Sequence, residues 1–150
     1  MKVLAKNKDA FHNYEILEKF EAGIELTGHE VKSTKKGNIS LGGGKVVFRE
    51  DQPYLVGVQI SSFQPKNTPS DFDSRRSKKL LLRESEIKKL IGKVSSSGLT
   101  IVPLRVYVKN GLVKVEIALV KRKSKKDKRE EIKKRDKQRD VERQFRERFE

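Results

Sequence analysis

The chain has no cysteine, and among its 150 residues only two histidines, His12 and His29. The first absence excludes disulfides and thiolate metal sites and fits a reducing cytosol. The second leaves any metal site to be built from two imidazoles and scattered carboxylates, so neither a metal nor a cofactor is expected. No apolar run reaches the 18 residues of a membrane-spanning helix. Residues 1–6 lack the long apolar stretch of a signal peptide. A cytoplasmic protein without membrane contact is therefore expected. Acidic residues are also short: 21 Asp and Glu face 36 Lys and Arg, giving a net charge of +15. Heat-adapted proteins are rich in charge of both signs, but that does not unbalance the sign. The imbalance points to a polyanion, with nucleic acid the first choice.

Large apolar residues are scarcest at the C-terminal end. Residues 121–150 hold fifteen Lys or Arg, eight Asp or Glu, and only Ile132, Val141, Phe145 and Phe149 as large apolar side chains. Such a segment cannot bury enough surface to offset the entropy of ordering itself. The expected organisation is a compact β-rich head over 1–120 and a basic arm over 121–150. The charge divides almost evenly, +8 in the head and +7 in the arm.

Within the head, residues 11–20 alternate apolar and polar positions like a strand, with His12 on it. Ala22-Gly23 reads as a turn before a short strand at Ile24 and Leu26. Thr27-Gly28-His29-Glu30 is a capping box and Gly37 a C-terminal stop, predicting a helix over about 28–36. Val46-Val47-Phe48 and residues 54–58 flank Glu50-Asp51-Gln52-Pro53 as a hairpin. Residues 61–78 read as a mobile polar loop ending in a basic run, Arg75-Arg76-Ser77-Lys78-Lys79. Ile87, Leu90, Ile91 and Val94 form one stripe of a helix over about 84–94, ended by Ser95-Ser96-Ser97-Gly98. Asn110-Gly111 favours a two-residue hairpin turn. That register pairs Val108 with Val113, Val106 with Val115, Leu104 with Ile117 and Val102 with Leu119 on one face. On the other it pairs Tyr107 with Lys114 and Arg105 with Glu116. Many short strands with two helices suggest a mainly β fold, a small antiparallel barrel of the OB-like kind. A two-layer α+β sandwich is the alternative.

Nothing supports an enzyme. Gly42-Gly43-Gly44-Lys45 lacks the first glycine and the Ser/Thr of a phosphate loop, and a strand follows it instead of a helix. Ser95-Ser96-Ser97 has no general base or orienting acid nearby in the sequence.

Several blocks occur together in a specific order. They are Asn7-Lys8 followed by Ala10, His12 and Tyr14; Phe20-Glu21-Ala22-Gly23; Gly28 followed by Glu30-Val31-Lys32-Ser33; Lys79-Leu80-Leu81-Leu82; Leu90-Ile91-Gly92-Lys93-Val94; Tyr107, Lys109-Asn110 and Lys114-Val115; and Asp127-Lys128-Arg129. Nearly end to end, the chain resembles the SsrA-binding protein family, also called small protein B. The resemblance implies an OB-like barrel that binds the tRNA-like part of transfer-messenger RNA near its elbow. Asn7, Glu21 and Leu81 match the family's RNA-contact positions. Lys8, His12, Lys32 and the basic residues Arg75, Arg76, Lys78 and Lys79 are nearby additions. Leu81, within a leucine triplet, is either core or contact. A carboxylate such as Glu21 in a basic protein would discriminate between RNAs rather than attract them.

The resemblance also gives the arm a role: disordered when free, helical in the mRNA path and decoding centre of the small ribosomal subunit during rescue of a stalled ribosome. Lys126, Asp127, Lys128, Arg129, Gln144 and Phe145 occupy the positions concerned. Lys126 stands where His or Tyr is common, Gly43-Gly44-Lys45 replaces an acidic-Ser-aromatic block, and Arg122 replaces a glycine near the hinge. The implied partners are transfer-messenger RNA, small-subunit rRNA and the stalled ribosome, bound by a monomer. The competing reading is a structural ribosomal protein with an arm threaded into rRNA.

Overall fold

A computed structural model describes residues 1–62 and 72–123. In chain order the elements are β1 (Lys2–Lys6), α1 (Lys8–Asn13), β2 (Tyr14–Ile24), α2 (Gly28–Lys35), β3 (Ile39–Ser40), β4 (Lys45–Arg49), β5 (Gln52–Val56), β6 (Gln59–Ile60), β7 (Lys78–Leu81), α3 (Glu84–Ser97), β8 (Thr100–Lys109) and β9 (Leu112–Arg122). Seven strands form one antiparallel sheet in the order β1-β8-β9-β2-β7-β5-β4, and β3 pairs with β6. The fold is mainly β with short helices, as expected. The sheet curls until β4 packs against β8, but no ladder joins them, so the barrel stays open.

The opening lies on the edge of β8 that faces β4, past the end of its pairing with β1 at Arg105. Pro103 has no N–H to donate, and the β8–β9 register shifts between Pro103 and Arg105. As far as Arg105 the hairpin register is the expected one, with Val108 opposite Val113, Val106 opposite Val115, Tyr107 opposite Lys114 and Arg105 opposite Glu116. Beyond the bulge the expected pairs are displaced: Pro103, not Leu104, faces Ile117, and Val102 faces Ala118. An extra residue in one strand moves the following side chains to the other face. The result is two cores. Ile101, Val106, Val115, Ile117 and Leu119 join the main core with Phe20, Leu55, Ile60, Leu80 and Leu90. Val102, Leu104, Ala118 and Val120 form a second cluster with Ala10 of α1.

Four other expectations change. His12 lies in α1, not in a strand, because Asn7 caps a helix there: its side-chain oxygen accepts from the Ala10 amide at 3.2 Å. Ala22-Gly23 is no turn. Both residues sit inside the eleven-residue β2, with Gly23 opposite Leu81 on one side and Lys114 on the other. Ser95-Ser96-Ser97 continue α3, and Gly98 ends it in the left-handed conformation (φ 61°). The Thr27 capping box forms as expected: the Glu30 amide donates to the Thr27 hydroxyl at 3.2 Å and the Thr27 amide to the Glu30 carboxylate at 2.9 Å. The Glu50-Asp51 turn has φ of 52° and 60°, so Gln52 and Pro53 belong to β5 rather than to the loop.

Candidate nucleic-acid interface

Strand alternation sends Glu21 and Gly23 to the outer face of β2 while Phe20 and Ala22 enter the interior. On β7 the same rule buries Lys78 and Leu80 and turns Lys79 and Leu81 outward. Because Gly23 faces Leu81, these two outer rows meet. A Cβ on Gly23 would lie 3.2 Å from the Leu81 side chain, so the glycine makes room for the leucine to lie across β2. Leu81 is 51% exposed, which places it on the surface rather than in the core. The structure therefore brings Glu21 and Leu81 together on one face.

Glu21 is held from β8. The Tyr107 hydroxyl donates to its Oε2 at 2.5 Å, and the Lys109 ammonium reaches the same oxygen at 3.4 Å. The Tyr107 hydrogen bond, with Lys109 and Lys114 adding their charge, keeps the Glu21 carboxyl below its usual range. Burial and the neighbouring Glu21 push the Tyr107 phenol well up. Next to them, Arg105 makes two bonds to Glu116, at 2.8 and 3.3 Å. Tyr107, Lys109 and Lys114 were missed as site residues. The Asn110-Gly111 register does place Tyr107 opposite Lys114, but it says nothing about which strand lies beyond β9.

Asn7 has a different place from the one expected. It is 5% exposed. Its amide nitrogen donates to the Pro103 carbonyl at 2.8 Å and approaches the Leu41 carbonyl at 3.4 Å, while its oxygen caps α1. Its backbone amide donates to the Leu104 carbonyl at 2.8 Å. Both amide functions are thus used inside the protein, where they tie β1, α1 and the loop before β4 to the open edge of β8. Lys8 and His12 are exposed on the helix that Asn7 starts.

The basic run divides in the same way. Arg75 is exposed and Lys79 half-buried. Lys78 is fully buried, with its ammonium donating to the Arg76 carbonyl at 2.6 Å. Burial draws its pKa down, against the pull of Glu30. Arg76 bridges to the buried Glu30 at 2.5 Å and to the Glu25 carbonyl at 3.3 Å. Burial alone would raise the Glu30 carboxyl, but Arg76, the Thr27 amide and Lys78 outweigh it and hold it below its usual value. Strand alternation turns Lys78 inward, so it is corrected from a surface contact to a buried group, while Arg76, its side chain 41% exposed, bridges Glu30 of α2 from the surface. Lys32 is exposed on α2. Lys126, Asp127, Lys128, Arg129, Gln144 and Phe145 lie outside the described residues.

The start of the arm is placed. Arg122 faces Tyr14 across the β2–β9 ladder, and the Lys123 amide donates to the Asn13 carbonyl at 3.0 Å. Glu21 lies seven residues along β2 from Tyr14, roughly 23 Å at strand spacing. The chain thus leaves the head beside α1, well away from the Glu21–Leu81 surface.

The family model described as SmpB protein matches residues 4–147. The chain belongs to the SmpB family. Among SmpB relatives, the SsrA-binding protein of Sulfurihydrogenibium sp. is 51% identical over 144 residues, 96% of this chain and 94% of the relative. That of Nostoc punctiforme is 48% identical over 142 residues, 95% and 92% of the two chains. A solved chain described as "tmRNA-SmpB: a journey to the center of the bacterial ribosome" superposes with a TM-score of 0.68 at 39% identity, covering 88% of this chain and 95% of that one. The likeness of this SmpB chain to its relatives spans head and arm alike. Among the described residues no helix is long and apolar enough to cross a membrane.

Proposed function

We propose that the chain binds the tRNA-like domain of transfer-messenger RNA and delivers it to stalled ribosomes for trans-translation, as a cytoplasmic binding protein rather than an enzyme. The observation that carries this reading is the end-to-end likeness to SsrA-binding proteins. The geometry supports a division of labour. The outer face around Glu21, Leu81, Lys79, Lys109 and Lys114 is the RNA-reading surface, with Lys8, His12, Lys32 and Arg75 as flanking cations. The head over residues 1–120 is the RNA-binding unit. The arm, leaving at the far end of β2, reaches past the bound RNA towards the decoding centre and mRNA path.

Cations attract any phosphate backbone, whereas a directional acceptor such as Glu21 recognises particular donors. Truncation after Lys123 should therefore leave affinity for the tRNA-like domain close to that of the full chain at low salt. The logarithm of affinity should fall linearly with the logarithm of salt concentration. Loss of all RNA binding on truncation would move recognition to the arm and refute the division.

A further inference from the structure

We propose that Tyr107 is a positioning residue for RNA recognition: its hydroxyl fixes the Glu21 carboxylate so that one oxygen faces outward to accept a hydrogen bond from RNA. The inference rests on the reading of Glu21 as an RNA contact and adds the group that makes that contact directional.

An exposed glutamate on a strand has several rotamers, and holding one of them in advance lowers the cost of binding. Tyr107 is suited to hold it. Its ring is 2% exposed and cannot swing away, and its hydroxyl meets Glu21 Oε2 at 2.5 Å. Lys109 shares that same oxygen, so Oε1 is left to accept from outside. The donors it would suit are the amino or imino N–H of an unpaired base or a ribose 2′-hydroxyl.

The surrounding charges show why a neutral donor is needed. Glu116 stands directly opposite Glu21 in the β2–β9 register. Arg105 and, at 4.0 Å, Lys19 balance it. Lys114 and Lys109 flank Glu21 from β9 and β8, while β7 contributes the uncharged Leu81. Lysine alone would draw the carboxylate towards whichever ammonium is nearest. A buried phenol sets one direction.

The test is Tyr107→Phe in the full chain, which keeps the ring and removes only the hydroxyl, alongside Glu21→Gln. Affinity is measured for the isolated tRNA-like domain and for a generic RNA duplex of equal length. Loss of one charge-assisted hydrogen bond predicts about a tenfold drop in specific affinity for Tyr107→Phe, with the generic duplex unchanged. The pH profile supplies a readout that altered packing would not move. The ionised carboxylate is the stronger acceptor, and the hydroxyl helps keep it ionised. Acid weakening of the specific-to-generic ratio should therefore begin at a higher pH in Tyr107→Phe than in the native chain. Lys109 and Lys114 should preserve part of the native resistance.

Native discrimination and a native pH profile in Tyr107→Phe, with discrimination lost in Glu21→Gln, would overturn the role of Tyr107 and leave Glu21 as a contact. Native discrimination in both variants would overturn the reading of Glu21 and this inference with it. An equal loss of affinity for both RNAs, tracking a loss of thermal stability, would reduce Tyr107 to packing and also overturn the proposal.

Discussion

Asn7→Ala should destabilise the head by about 2–4 kcal/mol, from a lost helix cap and a buried carbonyl left without its donor. For a domain of this size that corresponds to a fall in Tm on the order of 10 °C. The reason is the position of Asn7 at the open seam of the barrel, where it bonds to Pro103 of β8, reaches towards Leu41 and caps α1. Asn7→Asp separates these roles. Aspartate is an equally good cap, but it offers no N–H to the two carbonyls and sets a negative charge against them. It should therefore be at least as unstable as Asn7→Ala at neutral pH. A thermal melt of both variants decides the matter, and native stability in Asn7→Asp would show that the carbonyl contacts contribute nothing. RNA affinity measured well below the lowered Tm should stay near native, because Asn7 acts through the fold.

The second large effect concerns the arm. Replacing Asp127, Lys128 and Arg129 with alanine should abolish addition of the peptide tag on stalled ribosomes while leaving the affinity of the head for transfer-messenger RNA nearly intact. The arm starts beside α1, roughly 23 Å along β2 from Glu21, so its removal from play does not disturb the reading surface. Its composition, fifteen Lys or Arg with four large apolar residues, matches it to a polyanion. A carboxylate such as Asp127 adds nothing to phosphate attraction. Tagging at the native rate by the triple variant would contradict this role. Equal loss of RNA binding by the head would contradict the separation.

What could be read in advance was local. The Thr27–Glu30 capping box, the stripe of α3 and the Asn110-Gly111 register each depend on residues close in sequence, and each is present. The register failed at Leu104, where Pro103 removes a ladder donor and a bulge shifts the pairing. Gly23 was misread as a turn because its reason for being glycine is Leu81, some sixty residues away. Lys78 reads as a surface cation because the strand alternation that buries it depends on the pairing of β7 with β2 and β5. Asn7 looked free because the carbonyls it satisfies lie on the loop before β4 and on β8. Glu21 and Leu81 could be named from resemblance, but the hydroxyl that orients Glu21 comes from a strand two places across the sheet. Non-local pairing decides these cases, and a linear pattern does not contain it.

The most direct measurement of the central claim is the identity of the RNA recovered with the intact chain from growing bacteria. The account predicts one tRNA-like species, transfer-messenger RNA, in about equal amount to the protein, with Glu21→Gln recovering less of it despite a net charge raised by one. Recovery of ribosomal RNA alone, from ribosomes in ordinary elongation and unchanged by Glu21→Gln, would contradict it and make the chain a structural ribosomal protein.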